Sequence, residues 1–107
     1  MIQEDDTLAG YQAVHGRPPA FEGSDGHPYS AGLFSDDDPD ATGQYGASLL
    51  FIRWSADQQP DGHLESDYLA RAPEAAAAEA EVGRMSLSEV KAMLDELIAR
   101  RDRGTPA

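Results

Sequence analysis

A chain of 107 residues that is 40% hydrophobic has one domain's length and enough apolar material for one layer of sheet and one layer of helix. Twenty acidic residues against eight basic ones give a formal net charge of −12, which argues against direct binding of nucleic acid or of an anionic membrane, since both need Lys and Arg. The absence of cysteine removes disulfides, thiol catalysis and Cys-ligated zinc or iron–sulfur centres.

The charge is unevenly spread. Residues 1–40 hold nine acids and one base, Arg17, so most of the excess lies in the first part of the chain. An acidic surface of this kind serves solubility, a salt-rich cytoplasm, or a basic protein partner. Met1–Asp6 has neither a basic n-region nor an apolar h-region, and the run Leu49-Leu50-Phe51-Ile52 is far too short to span a bilayer, so the expected location is the cytoplasm.

Residues 1–7 read as a frayed polar end. Residues 8–15 read as a strand, with Gly10 and a mixed period against it. Ala20-Phe21-Glu22 leads into Gly23-Ser24-Asp25-Gly26-His27-Pro28, a hairpin signal, and Tyr29 to Phe34 is the returning strand. Residues 35–43 form an acidic loop. The clearest strand is Tyr45 to Ser55: Leu50, Ile52 and Trp54 alternate with Leu49, Phe51 and Arg53, so both faces are largely apolar. After a turn over 56–62, His63 to Leu69 reads as a further strand, with Leu64 and Tyr68 on one face.

From Pro73, suited to a first helical position, the pattern turns helical. Glu74 to Val82 is alanine-rich and Gly83 can stop it. Ser86 and Glu89 form a capping-box signature ahead of a stripe of Leu87, Val90, Leu94, Leu97 and Ile98. Arg100, Arg101 and Arg103 suit the negative end of that helix. Residues 104–107 read as a frayed tail. The fold expected is α+β: one domain over 1–107, an antiparallel sheet of about four strands, and a short and a longer C-terminal helix packed on one face.

His27, His63 and Glu65 are the candidate chemical residues. His63 and Glu65 are two apart and share a strand face. If His27 joins them, with His15 as a third imidazole, the set suits a divalent metal such as zinc, or acid–base catalysis. The bland alternative is loop histidines bonded to backbone. Arg53, on the most apolar strand, is expected either to pair with Glu65 across strands or to recognise an anion. Ser24 with Asp25 and His27, or Ser66 with His63 and Asp67, lack the setting of a nucleophile elbow, and no phosphate-binding glycine motif is present. The aromatic residues are mainly packing material. A sheet with helices on one side has a second face, however, where Leu49, Phe51 or Trp54 would form a partner surface.

Phe21-Glu22-Gly23-Ser24-Asp25-Gly26-His27-Pro28-Tyr29, Leu50-Phe51-Ile52-Arg53-Trp54, Gly62-His63-Leu64-Glu65-Ser66 and Leu87-Ser88-Glu89-Val90-Lys91 together resemble a small family of uncharacterised bacterial proteins. The resemblance spans about residues 10 to 100. It implies a compact single domain and no particular activity or catalytic residue.

Three functions follow as expectations. The leading one is a non-enzymatic interaction or accessory module without a cofactor, bound to a protein partner or to a second copy through Arg53 and Trp54. The second is a small metal-dependent or acid–base enzyme using His27, His63 and Glu65. The third is an acidic inhibitor that mimics nucleic acid through residues 35–40.

Overall fold

The structure is a computed structural model describing residues 6–104, and over these it forms an α+β fold of three helices and one antiparallel sheet of five strands. The first element corrects the expectation of a strand over 8–15: Leu8–His15 is a helix, α1. Thr7 Oγ1 accepts the Gly10 N–H at 3.0 Å, and Gly16, at φ 66°, closes the far end in the left-handed region. Leu8 is fully buried, and its N–H donates to the Met85 carbonyl at 2.9 Å. Capping and one anchored side chain therefore outweigh Gly10. Thr7 also bridges to Ser86, so the fold includes it, whereas residues 1–5 and 105–107 of the expected frayed ends lie outside the described residues.

Ala20–Glu22 (β1) and Pro28–Ser35 (β2) make the expected hairpin. Its turn is closed by Gly23 N–H to the His27 carbonyl, with Gly26 at φ 82°. Tyr45–Trp54 (β3) is the centre of the sheet, pairing with β2 along one edge. Along its other edge, Pro60–Glu65 (β4) and Ala70–Ala72 (β5) follow one another end to end. The strand expected over 63–69 thus ends at Glu65 and resumes as a separate short strand. Ser66 explains the interruption: its Oγ replaces a main-chain carbonyl, accepting the Leu49 N–H at 3.0 Å.

Register divides the sheet into two faces. Tyr29, Ala31, Ala47, Leu49 and Phe51 point to one side and are fully buried or nearly so. Against them pack Ala75–Gly83 (α2) and Leu87–Gly104 (α3), through Ala78 and Val82 and through Val90, Leu94, Leu97 and Ile98. Burying each large member of this set stabilises the fold by about 1.5–3 kcal/mol. Alanine lets α2 approach the sheet closely. Pro73 lies before the helix rather than at its first position, because Glu74 is the cap residue. The capping box of α3 forms as expected: Ser86 N–H donates to Glu89 Oε1 at 2.9 Å and Glu89 N–H to Ser86 Oγ at 3.1 Å.

The other face carries Phe34, Ser48, Leu50, Ile52, Trp54, His63 and Glu65. This settles two expectations about pairing. Arg53 sits opposite Gly62 and Glu65 opposite Leu50, so Arg53 and Glu65 lie on opposite faces and do not pair. Leu64, opposite Phe51, points toward the helices, whereas Tyr68 lies across Gly46 on the other face. No helix among the described residues is long and apolar enough to cross a membrane.

Candidate functional site

Tyr29, Arg53 and Gly62 form one row across β2, β3 and β4, on the helix-facing side of the sheet. The last turns of α3 bring Arg101 to the same place. With His63 and Leu64 these residues line a cavity of about 140 Å³. Arg53 Nε donates to Asp61 Oδ1 at 2.8 Å, and its Nη2 donates to the Asp61 carbonyl at 3.1 Å. Arg101 Nη2 donates to Asp25 Oδ2 at 3.2 Å and its Nη1 to the Tyr29 hydroxyl at 3.3 Å. The Tyr29 hydroxyl in turn donates to Asp25 Oδ2 at 2.7 Å.

Asp25 is the pivot of this network. Burial pushes its pKa up, but hydrogen bonds from Tyr29, from the His27 N–H and from Arg101 outweigh that and hold the carboxyl below its usual range. Tyr29 moves the other way: burial first, then its bond to a carboxylate, raises the phenol. Burial would weaken the Arg101 cation, yet Tyr29, Asp102 and Asp25 raise its pKa and keep it charged. The turn is tied to α3 a second time by Ser24 N–H, which donates to Asp95 Oδ1 at 3.0 Å.

The opposite face is apolar in its middle. Leu50, Ile52 and Trp54 follow one another along β3, half-buried, and Phe34 sits diagonal to Leu50 with 42% of its surface exposed. Trp54 Nε1 donates to Ser30 Oγ at 3.0 Å, which fixes the indole across β2. One end of the face is closed by Tyr68, whose hydroxyl donates to Asp36 Oδ1 at 2.6 Å and whose ring carries Arg71 at 4.7 Å. Gly46 is required there, because a Cβ would stand 2.5 Å from the Tyr68 ring. Arg71 is bonded to Asp40 at 3.0 Å. Glu22 and Glu65 flank the apolar strip on β1 and β4.

His27 lies in the β1–β2 turn, His63 and Glu65 lie on β4, and β2 and β3 run between them. Among the described residues no group of three or more His, Asp and Glu side chains is placed to hold a metal ion. His15 stacks on Tyr11 at the end of α1, with ring centres 4.2 Å apart. Neither serine triad is assembled as imagined: Asp25 bonds the His27 main chain and not its ring, and Ser66 Oγ donates to the Asp67 carbonyl at 2.8 Å. Of the two interaction candidates, Trp54 lies on the uncovered face and Arg53 on the helix side. Asp25, Tyr29, Arg53, Asp61 and Arg101 carry the polar site, and of these only Asp25 and Arg53 draw a chemical reading from the sequence. Asp25 and Tyr29 are four apart across a hairpin turn, which was a usable signal; their link to residue 101 had none. The chain matches no protein-family model, no curated protein and no solved structure.

Proposed function

We propose that this protein is a non-enzymatic interaction module that docks a basic protein partner against the uncovered face of its sheet. The observation that carries the reading is the strip Phe34, Leu50, Ile52 and Trp54 on the face away from the helices, flanked by Glu22 and Glu65. An apolar centre with a charged rim is the usual anatomy of a binding surface. The rim selects the partner. Two copies that each carry a formal charge of −12 repel one another, so self-association through this face is opposed at low salt. A partner presenting apolar side chains among Lys and Arg is attracted instead, and its approach is steered over about a Debye length, roughly 8 Å at physiological salt.

A photo-crosslinking residue at Phe34, with one at the exposed Ala92 of α3 as control, tests this in the native cell. The expected result is an adduct from position 34 alone, on a Lys- or Arg-rich segment. The trapped partner, once purified, should shift Trp54 fluorescence, bind at least tenfold more weakly between 50 and 500 mM salt (roughly, for several screened charge pairs), and lose affinity to Ile52→Ser. Failure to trap anything from position 34 counts against the reading. So does a self-adduct whose formation strengthens with salt, which would make the face a homodimer interface.

A further inference from the structure

We propose that the cavity between Arg53 and Arg101 binds a tetrahedral oxyanion of phosphate type. This stands apart from the outer-face reading, because the cavity lies on the helix side of the sheet. In a chain with only eight basic residues, two arginines from distant elements line the same cavity of about 140 Å³. That is well above the roughly 15 Å³ needed for one water, and it leaves room for a phosphate with a short substituent. Arg53 stays charged beside Arg101, because its bond to Asp61 raises its pKa and outweighs the opposing charge of Arg101.

Each guanidinium is already held in place. Asp61 fixes Arg53, and Asp25 with Tyr29 fixes Arg101, so little side-chain freedom is left to lose on binding. The Tyr29 ring and Leu64 give the cavity apolar walls, which strengthen a charge-assisted bond. The shape of the anion follows from the placement of its hosts. Arg53 comes from β3 and Arg101 from α3, and a tetrahedral centre can turn separate oxygens to each. A carboxylate has two oxygens to share between the two forks, whereas a phosphate offers three or four.

Gly62 is the independent observation. Its φ lies outside the left-handed region, so the backbone there accepts any L-residue. A glycine inside a strand weakens it and often marks a close approach. Here a Cβ would stand 3.4 Å from Arg53 Nη2 and 3.5 Å from its Cζ. That is ordinary van der Waals contact, so the guanidinium lies over Gly62, and a side chain longer than a methyl would push it out of its place.

The test follows the arginine Nε–H signals of the whole ¹⁵N-labelled protein by NMR. Inorganic phosphate is titrated at constant ionic strength, then glycerol phosphate, with sodium chloride as control. Saturable shifts are expected at Arg53 and Arg101 and not at the exposed Arg84. Tighter binding of glycerol phosphate than of phosphate assigns the site to a phosphomonoester, and equal binding assigns it to the free ion. Gly62→Leu, which crowds the Arg53 guanidinium without removing an arginine, should weaken binding at least tenfold. Arg53→Gln gives the same readout if Gly62→Leu fails to fold. The proposal is overturned by shifts that chloride reproduces, by linear shifts shared among all arginines, or by binding that survives whichever of the two variants folds.

Discussion

Asp25, in the turn between β1 and β2, and Arg101, near the end of α3, are 76 positions apart and meet at 3.2 Å beside the Tyr29 hydroxyl. The contact joins the first hairpin to the last helix across the open end of the core. The side chain of Asp25 is 11% exposed, so the pair is sheltered more than a surface ion pair is.

Acid should therefore weaken the fold partly through Asp25. Its folded pKa lies below the ordinary value of 3.8, so ionised Asp25 favours the folded state. That contribution is fully present above pH 3.8 and is lost as pH falls through the lower, folded pKa. Chemical denaturation from pH 6 down to pH 2 should show Asp25→Asn less stable than the parent at pH 6, with the gap closing in acid. A carboxyl-carbon NMR titration should place the Asp25 midpoint under 3.8. A midpoint above that value would show that burial outweighs the Tyr29, His27 and Arg101 bonds.

Two phenylalanines separate the faces of the sheet. Phe51 is fully buried against the helices, while Phe34 is 42% exposed on the far side. Phe51→Ala should cost about 3–5 kcal/mol, a large part of the 5–15 kcal/mol typical of a domain. Phe34→Ser should cost under about 1 kcal/mol. Urea denaturation of the two variants side by side measures the difference. Equal losses would mean that the two faces of the sheet are buried alike.

That contrast also shows where sequence reading succeeded and failed. Alternation along Tyr45 to Trp54 revealed a central strand, and the Ser86–Glu89 pair located the start of α3, because both signals are local. Alternation could not say which apolar face the helices cover; Leu49 and Phe51 face them, while Leu50, Ile52 and Trp54 do not. The strand expected over 8–15 failed because the decisive contact of Leu8 is with Met85, far along the chain. The Arg53–Glu65 pairing failed on register, since a shift of one residue moves a side chain to the other face. In the sequence Arg101 is a helix-end charge, and nothing local links it to Asp25, 76 positions away.

Ser48 offers a smaller test of the packing. It is fully buried on β3, and its hydroxyl has no hydrogen-bond partner among the described residues. An unpartnered buried hydroxyl has lost its water and gained nothing in return. Ser48→Ala should therefore leave stability unchanged or raise it by up to about 1 kcal/mol. Calorimetry would show a melting temperature equal to or above that of the parent. A clear drop would reveal a bond from Ser48 Oγ in solution, to water or to a shifted neighbour.

The start of α3 gives the last prediction. Ser86 both caps the helix and bridges to Thr7, the cap residue of α1, so the starts of two helices meet here. Removing its hydroxyl leaves the Glu89 N–H without a partner, while the main-chain bridge to Thr7 survives. Ser86→Ala should then cost about 1 kcal/mol, a fall of about 4–8 °C in melting temperature for a domain of this size. Ser86→Asp keeps an acceptor for the Glu89 N–H but sets a second carboxylate beside Glu89, whose own pKa is lowered by bonds to the Ser86 main chain and side chain. Its stability should fall between those of the parent and the alanine variant at low salt and approach the parent as salt screens the two carboxylates. If Ser86→Ala melts with the parent, the hydroxyl is not the cap that holds α3, and the stripe of Val90, Leu94, Leu97 and Ile98 alone sets where the helix begins.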